Sequence, residues 1–267
     1  MILEEFEEKL RRSGLGNGSV IVISSDVKKL LIKLMQEDRK NCNKRKKVDE
    51  YLDDIIDMFQ KIVGDSGTLL FHTFYWNFCH GKAFDYKNTM SETGILSNRA
   101  LKRGDFIRTR HPIYSFAVWG KDAMYLANLE NTDAFAADSP FEYMRKNNAV
   151  YVSIDIDAWS YFHYIEQSNN VEYRFIKKFT APYVKDGISE NKTYSMFVRY
   201  LCLDVEQLPF WEKWLAKKTI YVSNIRTDII DCNETYIQVS NDIINNEGRN
   251  LVVYNREMAA NHLQVED

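Results

Sequence analysis

The chain has few cysteines: four in 267 residues, Cys42, Cys79, Cys202 and Cys232, far apart and without a Cys-x-x-Cys pair. Neither a zinc site nor a disulfide framework is indicated, no metal is expected, and a reducing cytoplasm suits such thiols. An excess of either charge is also lacking, since 35 Lys and Arg stand against 38 Asp and Glu. That balance makes no electrostatic case for nucleic acid or an anionic membrane and points to small ligands. No apolar run approaches the roughly 20 residues of a membrane span. The start, Met1-Ile2-Leu3-Glu4-Glu5-Phe6, carries acids where a secretory signal carries bases. Internal repeats and low-complexity linkers are absent too. With 45% hydrophobic and 13% aromatic residues, we expect a single α/β domain over residues 1–267, with interleaved subdomains at about 1–150 and 151–267.

The hydrophobic pattern predicts a short helix over 2–12, a strand over 19–23, helices over about 27–37 and 48–63, and a second buried strand over 67–71. That order is the pattern of a parallel α/β unit. The stretch from Phe84 to Pro112 is polar and irregular, a long connection of the kind that carries site residues. Helices are expected at Gly120–Leu129 and Pro140–Asn147, then a strand at Ala149–Ile154. The last third alternates like antiparallel sheet at 172–179, 193–201, 219–222 and 235–239, with a helix around Pro209–Lys217.

Several places carry chemistry, each with a plainer alternative. The pair His163-x-x-Glu166 follows the strand ending at Ile154. Three residues apart on a helix, the carboxylate can hold the imidazole in one tautomer and stabilise its cation, as a general base requires; the alternative is a partly exposed helical face. Ser24-Ser25-Asp26 ends a strand at a helix start, where hydroxyls and free N–H groups suit a phosphate or merely cap the helix. Lys44-Arg45-Lys46-Lys47 reads as a solvated loop. His72 ends a buried strand, where ligands collect in open α/β sheets, or is a structural histidine. Cys79-His80 is a poor dyad, because adjacent side chains diverge. Arg108-x-x-His111-Pro112-x-x-Ser115 can offer several donors to a phosphate-rich ligand, or brace a proline turn.

Taken in order, Ser24-Ser25, Gly67-Thr68-Leu69 with Thr73-Phe74 and Trp76-Asn77-Phe78, then Ser91, Gly94 and Arg99, Arg108-x-x-His111-Pro112-x-x-Ser115-x-x-x-x-Gly120, Ser139-Pro140 and His163-x-x-Glu166 resemble the aminoglycoside 3-N-acetyltransferase family. The resemblance runs from about residue 14 to 180. It implies a mixed α/β fold with flanking helices and a β-rich C-terminal part. It also implies transfer of an acyl group from acetyl-CoA or another acyl-CoA to the amine of an amino sugar. On this resemblance the catalytic pair is His163 and Glu166, and Ser24, Ser25, Thr73, Arg108, His111 and Ser115 form the coenzyme A and acyl surfaces. Two departures stand on the acceptor side: His72 replaces a usual proline, and Trp159-Ser160-Tyr161-Phe162 replaces the usual Asn-Thr-Ser-Leu.

The chemistry of the residue types agrees. An amine attacks a thioester only when neutral, and imidazoles as a class titrate near pH 6.5, roughly where a base for that proton is needed. Oxyanion donors are expected from Thr73, Ser115 or backbone N–H groups nearby. Because of the two departures and the mild charge, a nucleotide-linked amino sugar of surface-polysaccharide synthesis is the expected acceptor, with an aminoglycoside antibiotic as the alternative. His72, Asp85 and Glu92 are the expected acceptor contacts. A non-catalytic sugar- or nucleotide-binding protein and a thioesterase on the same scaffold are the rivals. A monomer and a homo-oligomer are both left open.

Overall fold

In a computed structural model, the described residues are 1–41, 46–157, 159–208 and 217–263. The N-terminal elements are α1 (Ile2–Arg12), β1 (Val20–Ser25), α2 (Lys28–Lys40), α3 (Val48–Val63), β2 (Thr68–His72) and β3 (Phe84–Asp85). Next come α4 (Ile95–Lys102), β4 (Ile107–Arg108), β5 (Phe116–Gly120), α5 (Ala123–Ala127), α6 (Pro140–Lys146), β6 (Val150–Ile154) and α7 (Tyr161–Ser168). The remainder is β7 (Arg174–Lys185), β8 (Ile188–Arg199), β9 (Glu206–Gln207), β10 (Lys217–Val222), β11 (Ile225–Asp231), α8 (Cys232–Asn246), β12 (Val252–Val253) and α9 (Arg256–Leu263). No described helix is long and apolar enough to cross a membrane.

A seven-stranded mixed sheet runs in the order β10-β11-β6-β1-β2-β5-β4. Its centre, β6-β1-β2, is parallel, and its margins are antiparallel. Strands from both parts of the chain enter this sheet: β1, β2, β5 and β4 form one side, β6, β11 and β10 the other, and the two sides join at the β1–β6 pair. Side chains alternate across β1: Ile21 and Ile23 face one core with Phe6, Leu30, Ile55 and Phe59, while Val20 and Val22 face another with Phe141, Phe162, Ile165 and Val239. A strand buried on both faces must be apolar at successive positions, which is why 20–23 reads as a continuous hydrophobic run. At the end of β5 the chain packs against β2 so closely that a Cβ on Gly120, at φ +101°, would stand 2.2 Å from the Gly67 carbonyl oxygen. Only glycine fits there.

Beside this sheet, β7 and β8 form a long antiparallel hairpin with β3 on its edge. The parallel unit of the first 75 residues is present as expected, and the strands expected at 172–179 and 193–201 belong to this hairpin. Two expectations are corrected, and one strand is added. Residues 235–239 are helical within α8, where Asp231 caps the start by accepting the Glu234 N–H at 2.8 Å and Cys232, Thr235 and Val239 share the buried side. The helix expected over Gly120–Leu129 shrinks to α5, because Gly120 closes β5. Strand β11 was not anticipated; it pairs with β6 and carries β10 at the margin. The helix expected around Pro209–Lys217 lies outside the described residues, apart from Lys217, which begins β10. Lys44 and Arg45 of the basic run lie outside them as well, whereas Lys46 pairs with Asp54 at 2.6 Å.

Candidate active site

A cavity of about 820 Å³ opens at the C-terminal ends of β1, β2 and β6. Chain direction dictates that place: β1 connects onward to β2 on one side and is flanked by β6 on the other, and a crevice forms where the order reverses. Ser24 and Ser25 line it at the end of β1 and Lys28 at the start of α2, His72 and Phe74 at the end of β2, and Asp157, Trp159 and Ser160 beyond β6. The first turn of α4, at Gly94-Ile95, closes the opposite side, and Gly94 adopts φ +111° there. The starts of α2 and α4 therefore both border the cavity, and each exposes N–H groups without partners inside its own helix.

From α7, His163 reaches the same space. Its Nδ1 lies 2.8 Å from Glu166 Oε2, and its side chain keeps 27% of its surface exposed while that of Glu166 keeps none. The carboxylate has two further partners. Tyr173 donates its hydroxyl to Oε1 at 3.0 Å, and Arg174 forms an ion pair with Oε2 at 2.8 Å. Burial alone would raise the Glu166 carboxyl, but the His163 hydrogen bond, the Arg174 charge and the Tyr173 hydroxyl outweigh it and hold the group below the usual carboxylate range. A carboxylate so fixed accepts the proton on Nδ1 and leaves Nε2 as the basic nitrogen of His163. The arrangement can take a proton from a substrate in the cavity and stabilise the resulting imidazolium.

The other expected site residues divide. Ser24, Ser25, His72 and Glu92 line the cavity. Glu92 is held at the rim by the backbone N–H groups of Trp76 and Asn77, at 2.5 and 3.3 Å, and by the Asn77 amide. Thr73, Arg108, His111 and Ser115 are not brought to it. Arg108 donates to the Thr89 carbonyl at 2.5 Å, the Thr73 carbonyl at 2.8 Å and Ser115 Oγ at 3.0 Å, so its fork is spent on the protein. Ser115 donates in turn to the Thr73 carbonyl at 2.6 Å and lies 2.9 Å from Thr73 Oγ1. This cluster ties the end of β2 to β4 and β5. His111 is buried, with Nδ1 accepting the Tyr114 N–H at 3.2 Å. Asp85 turns away as well and closes its own turn, accepting from the backbone N–H groups of Lys87 and Asn88, both at 2.9 Å.

The residues missed by sequence reasoning include the cavity walls Tyr114 and Asp157 and the Glu166 partners Tyr173 and Arg174, whereas Trp159, expected on the acceptor side, does line the cavity. Asp157 could have been found by following every parallel strand to its C-terminal end. Nothing in the local pattern links Arg174 to Glu166, since it arrives on the following strand.

Burial pulls the His72 imidazole down to about 3 and that of His111 to about 4, so both are neutral in the fold. In the unfolded chain a histidine takes a proton below about pH 6.5. Between that pH and the folded values the unfolded state binds more protons, so stability is full above pH 6.5 and falls as the pH falls. Each histidine is expected to cost up to about 1.4 kcal/mol per pH unit there. Urea midpoints between pH 7 and 5 measure this, and His72→Asn should flatten the slope; an unchanged slope would contradict it.

Fold and site thus define a mixed α/β protein with a histidine–carboxylate couple in a cavity at the switch point of its parallel strands. The family described as aminoglycoside 3-N-acetyltransferase matches residues 42–239. The chain belongs to that family and is an acyl-coenzyme A dependent N-acyltransferase. Ser24-Ser25 lies upstream of the matched span. The fold is similar to that of aminoglycoside acetyltransferase AAC(3)-Xa, with TM-score 0.71 and 16% identity over 90% of this chain and 92% of that one. Sisomicin-bound AAC-VIa gives TM-score 0.70 and 18% identity over 90% and 96%. AAC-IIIb in binary complex with CoASH gives 0.68 and 14% over 88% and 93%. No curated protein matches.

Proposed function

We propose that this protein moves an acetyl or similar short acyl group from acyl-coenzyme A to an amine of an aminoglycoside-type amino sugar, with His163 as general base and Glu166 as the group that orients it. The observation that carries this is the His163 Nδ1–Glu166 contact of 2.8 Å at the edge of the cavity. The amine nitrogen attacks the thioester carbon while Nε2 of His163 takes its proton. Collapse of the tetrahedral species expels the coenzyme A thiolate, which receives that proton and leaves as the thiol. Ser24, Ser25 and Lys28, with the N–H groups that begin α2 and α4, suit the phosphates of the coenzyme. Thr73, Arg108, His111 and Ser115 act behind the wall, as the brace that fixes the ends of β2 and β5. The same reading puts the protein in the cytoplasm, where acyl-coenzyme A and reduced thiols coexist.

The acceptor is where this reading departs from the sequence expectation. Family membership and the sisomicin-bound neighbour favour an aminoglycoside over a nucleotide-linked amino sugar. Charge agrees, because Glu92 and Asp157 border the cavity and carboxylates attract ammonium groups. Asp85 has no part in it. With acetyl-CoA as donor, kcat/KM should be at least about tenfold higher for a kanamycin-type aminoglycoside than for a nucleotide-linked amino sugar, a difference of about 1.4 kcal/mol. The reverse order would overturn the choice of acceptor.

A further inference from the structure

Two buried groups beside the cavity take no part in that proton transfer. On β2, His72 shares the face of Leu70; on β6, Tyr151 pairs with Val22, which pairs on its other side with Leu70. The two long side chains therefore meet over β1. His72 Nε2 lies 2.7 Å from the Tyr151 hydroxyl, which lies 3.0 Å from Ser160 Oγ. Ser160 lines the cavity together with His163. It stands three residues before the histidine, whose backbone N–H donates to the Ser160 carbonyl at 3.1 Å, so both side chains belong to one face of the helix start.

A hydroxyl in such a chain gives one hydrogen and accepts another. With the His72 proton on Nε2, the imidazole donates to Tyr151 and Tyr151 donates to Ser160, which leaves the Ser160 hydrogen for the cavity. We propose that Ser160, oriented by Tyr151 and His72, donates this hydrogen bond to the thioester carbonyl oxygen and stabilises the oxyanion formed there. The inference rests on the acyl-transfer reading above. As the amine lone pair forms the C–N bond, the carbonyl π pair moves to oxygen and is held by the Ser160 hydroxyl. When that pair returns, the C–S bond breaks and the thiolate departs with the proton relayed by His163. Donors aimed at the developing charge act most strongly in a site shielded from water, and a chain of hydrogen bonds polarises its last member. Burial supports the arrangement, keeping His72 neutral and raising the Tyr151 phenol far above its ordinary value, so the chain keeps its protons across the working range. It also gives the His72 departure from the usual proline a purpose.

Steady-state kinetics on point variants tests this. Ser160→Ala should lower kcat about 10²-fold with KM for acetyl-CoA and acceptor changed by no more than about threefold, while Ser160→Thr keeps most of the rate. Tyr151→Phe should cost about tenfold in the native background and nothing further in Ser160→Ala, as coupled groups do. A Ser160→Ala enzyme within about twofold of normal kcat, or a loss confined to KM, would overturn the proposal, as would an additive Tyr151→Phe. Ser160 lies at the cavity surface, so its two variants decide the matter even if Tyr151→Phe does not fold. Loss of rate in His163→Ala with none in Ser160→Ala sinks this inference alone, whereas a native enzyme inactive with every amine sinks the reading beneath it.

Discussion

Replacing His163 with alanine should lower kcat by about 10³-fold while coenzyme A binds with an affinity within about twofold of normal. The size follows from the step that is lost. Without Nε2 of His163 the attacking amine has no acceptor for its proton in the cavity, and positioned acid–base groups contribute about 10² to 10⁴ in rate. Binding should survive because the proposed phosphate contacts, Ser24, Ser25 and Lys28 with the starts of α2 and α4, come from elements other than α7. The side chain is 27% exposed, so its truncation leaves no large void. Turnover measured beside calorimetric titration with coenzyme A separates the two effects. A variant with near-normal kcat would remove His163 from the role of base.

Removal of Glu166 should strike stability and rate together. Its carboxylate, fully buried, faces Arg174, which is 4% exposed, and Tyr173 and His163 also depend on it. Glu166→Ala leaves the guanidinium buried without a counter-charge, a loss of about 3–5 kcal/mol. For a chain of this size that corresponds to a fall in Tm of roughly 10 °C. The rate should fall by at least about tenfold in the same variant, since the imidazole loses the acceptor that fixes its tautomer. Glu166→Gln keeps an oxygen for the Nδ1 proton and should recover part of the rate but little of the stability, because the charge opposite Arg174 is gone. Thermal unfolding and kcat on the two variants read these effects. A Glu166→Ala protein with unchanged Tm would contradict the buried ion pair.

What could be read from the sequence was whatever chemistry keeps within one short segment. His163 and Glu166 are joined by helical spacing, the apolar run at 20–23 announces a strand covered on both faces, and Ser24-Ser25 and His72 stand at strand ends where a parallel sheet gathers ligands. Contacts between segments follow no spacing. Arg174 meets Glu166 only because β7 begins beside α7, and Arg108 faces the carbonyls of Thr73 and Thr89 only because β4 lies at the margin next to β5. For the arginine-rich block both a donor set for a ligand and a structural brace were open from the sequence, and the Arg108 donors satisfy the Thr73 and Thr89 carbonyls as a brace does. At 235–239, Thr235, Ile237 and Val239 alternate as in a strand, while Cys232, Thr235 and Val239 recur as in a helix; the cap at Asp231 tips the balance.

The measurement that bears most directly on the central claim is thiol release from acetyl-CoA by the native protein with and without an aminoglycoside amine. Acyl transfer predicts release only in the presence of the amine, matched mole for mole by the N-acetylated product in the mass spectrum. Release at the same rate without any amine, with acetate as the product, would contradict it and make the protein a thioesterase.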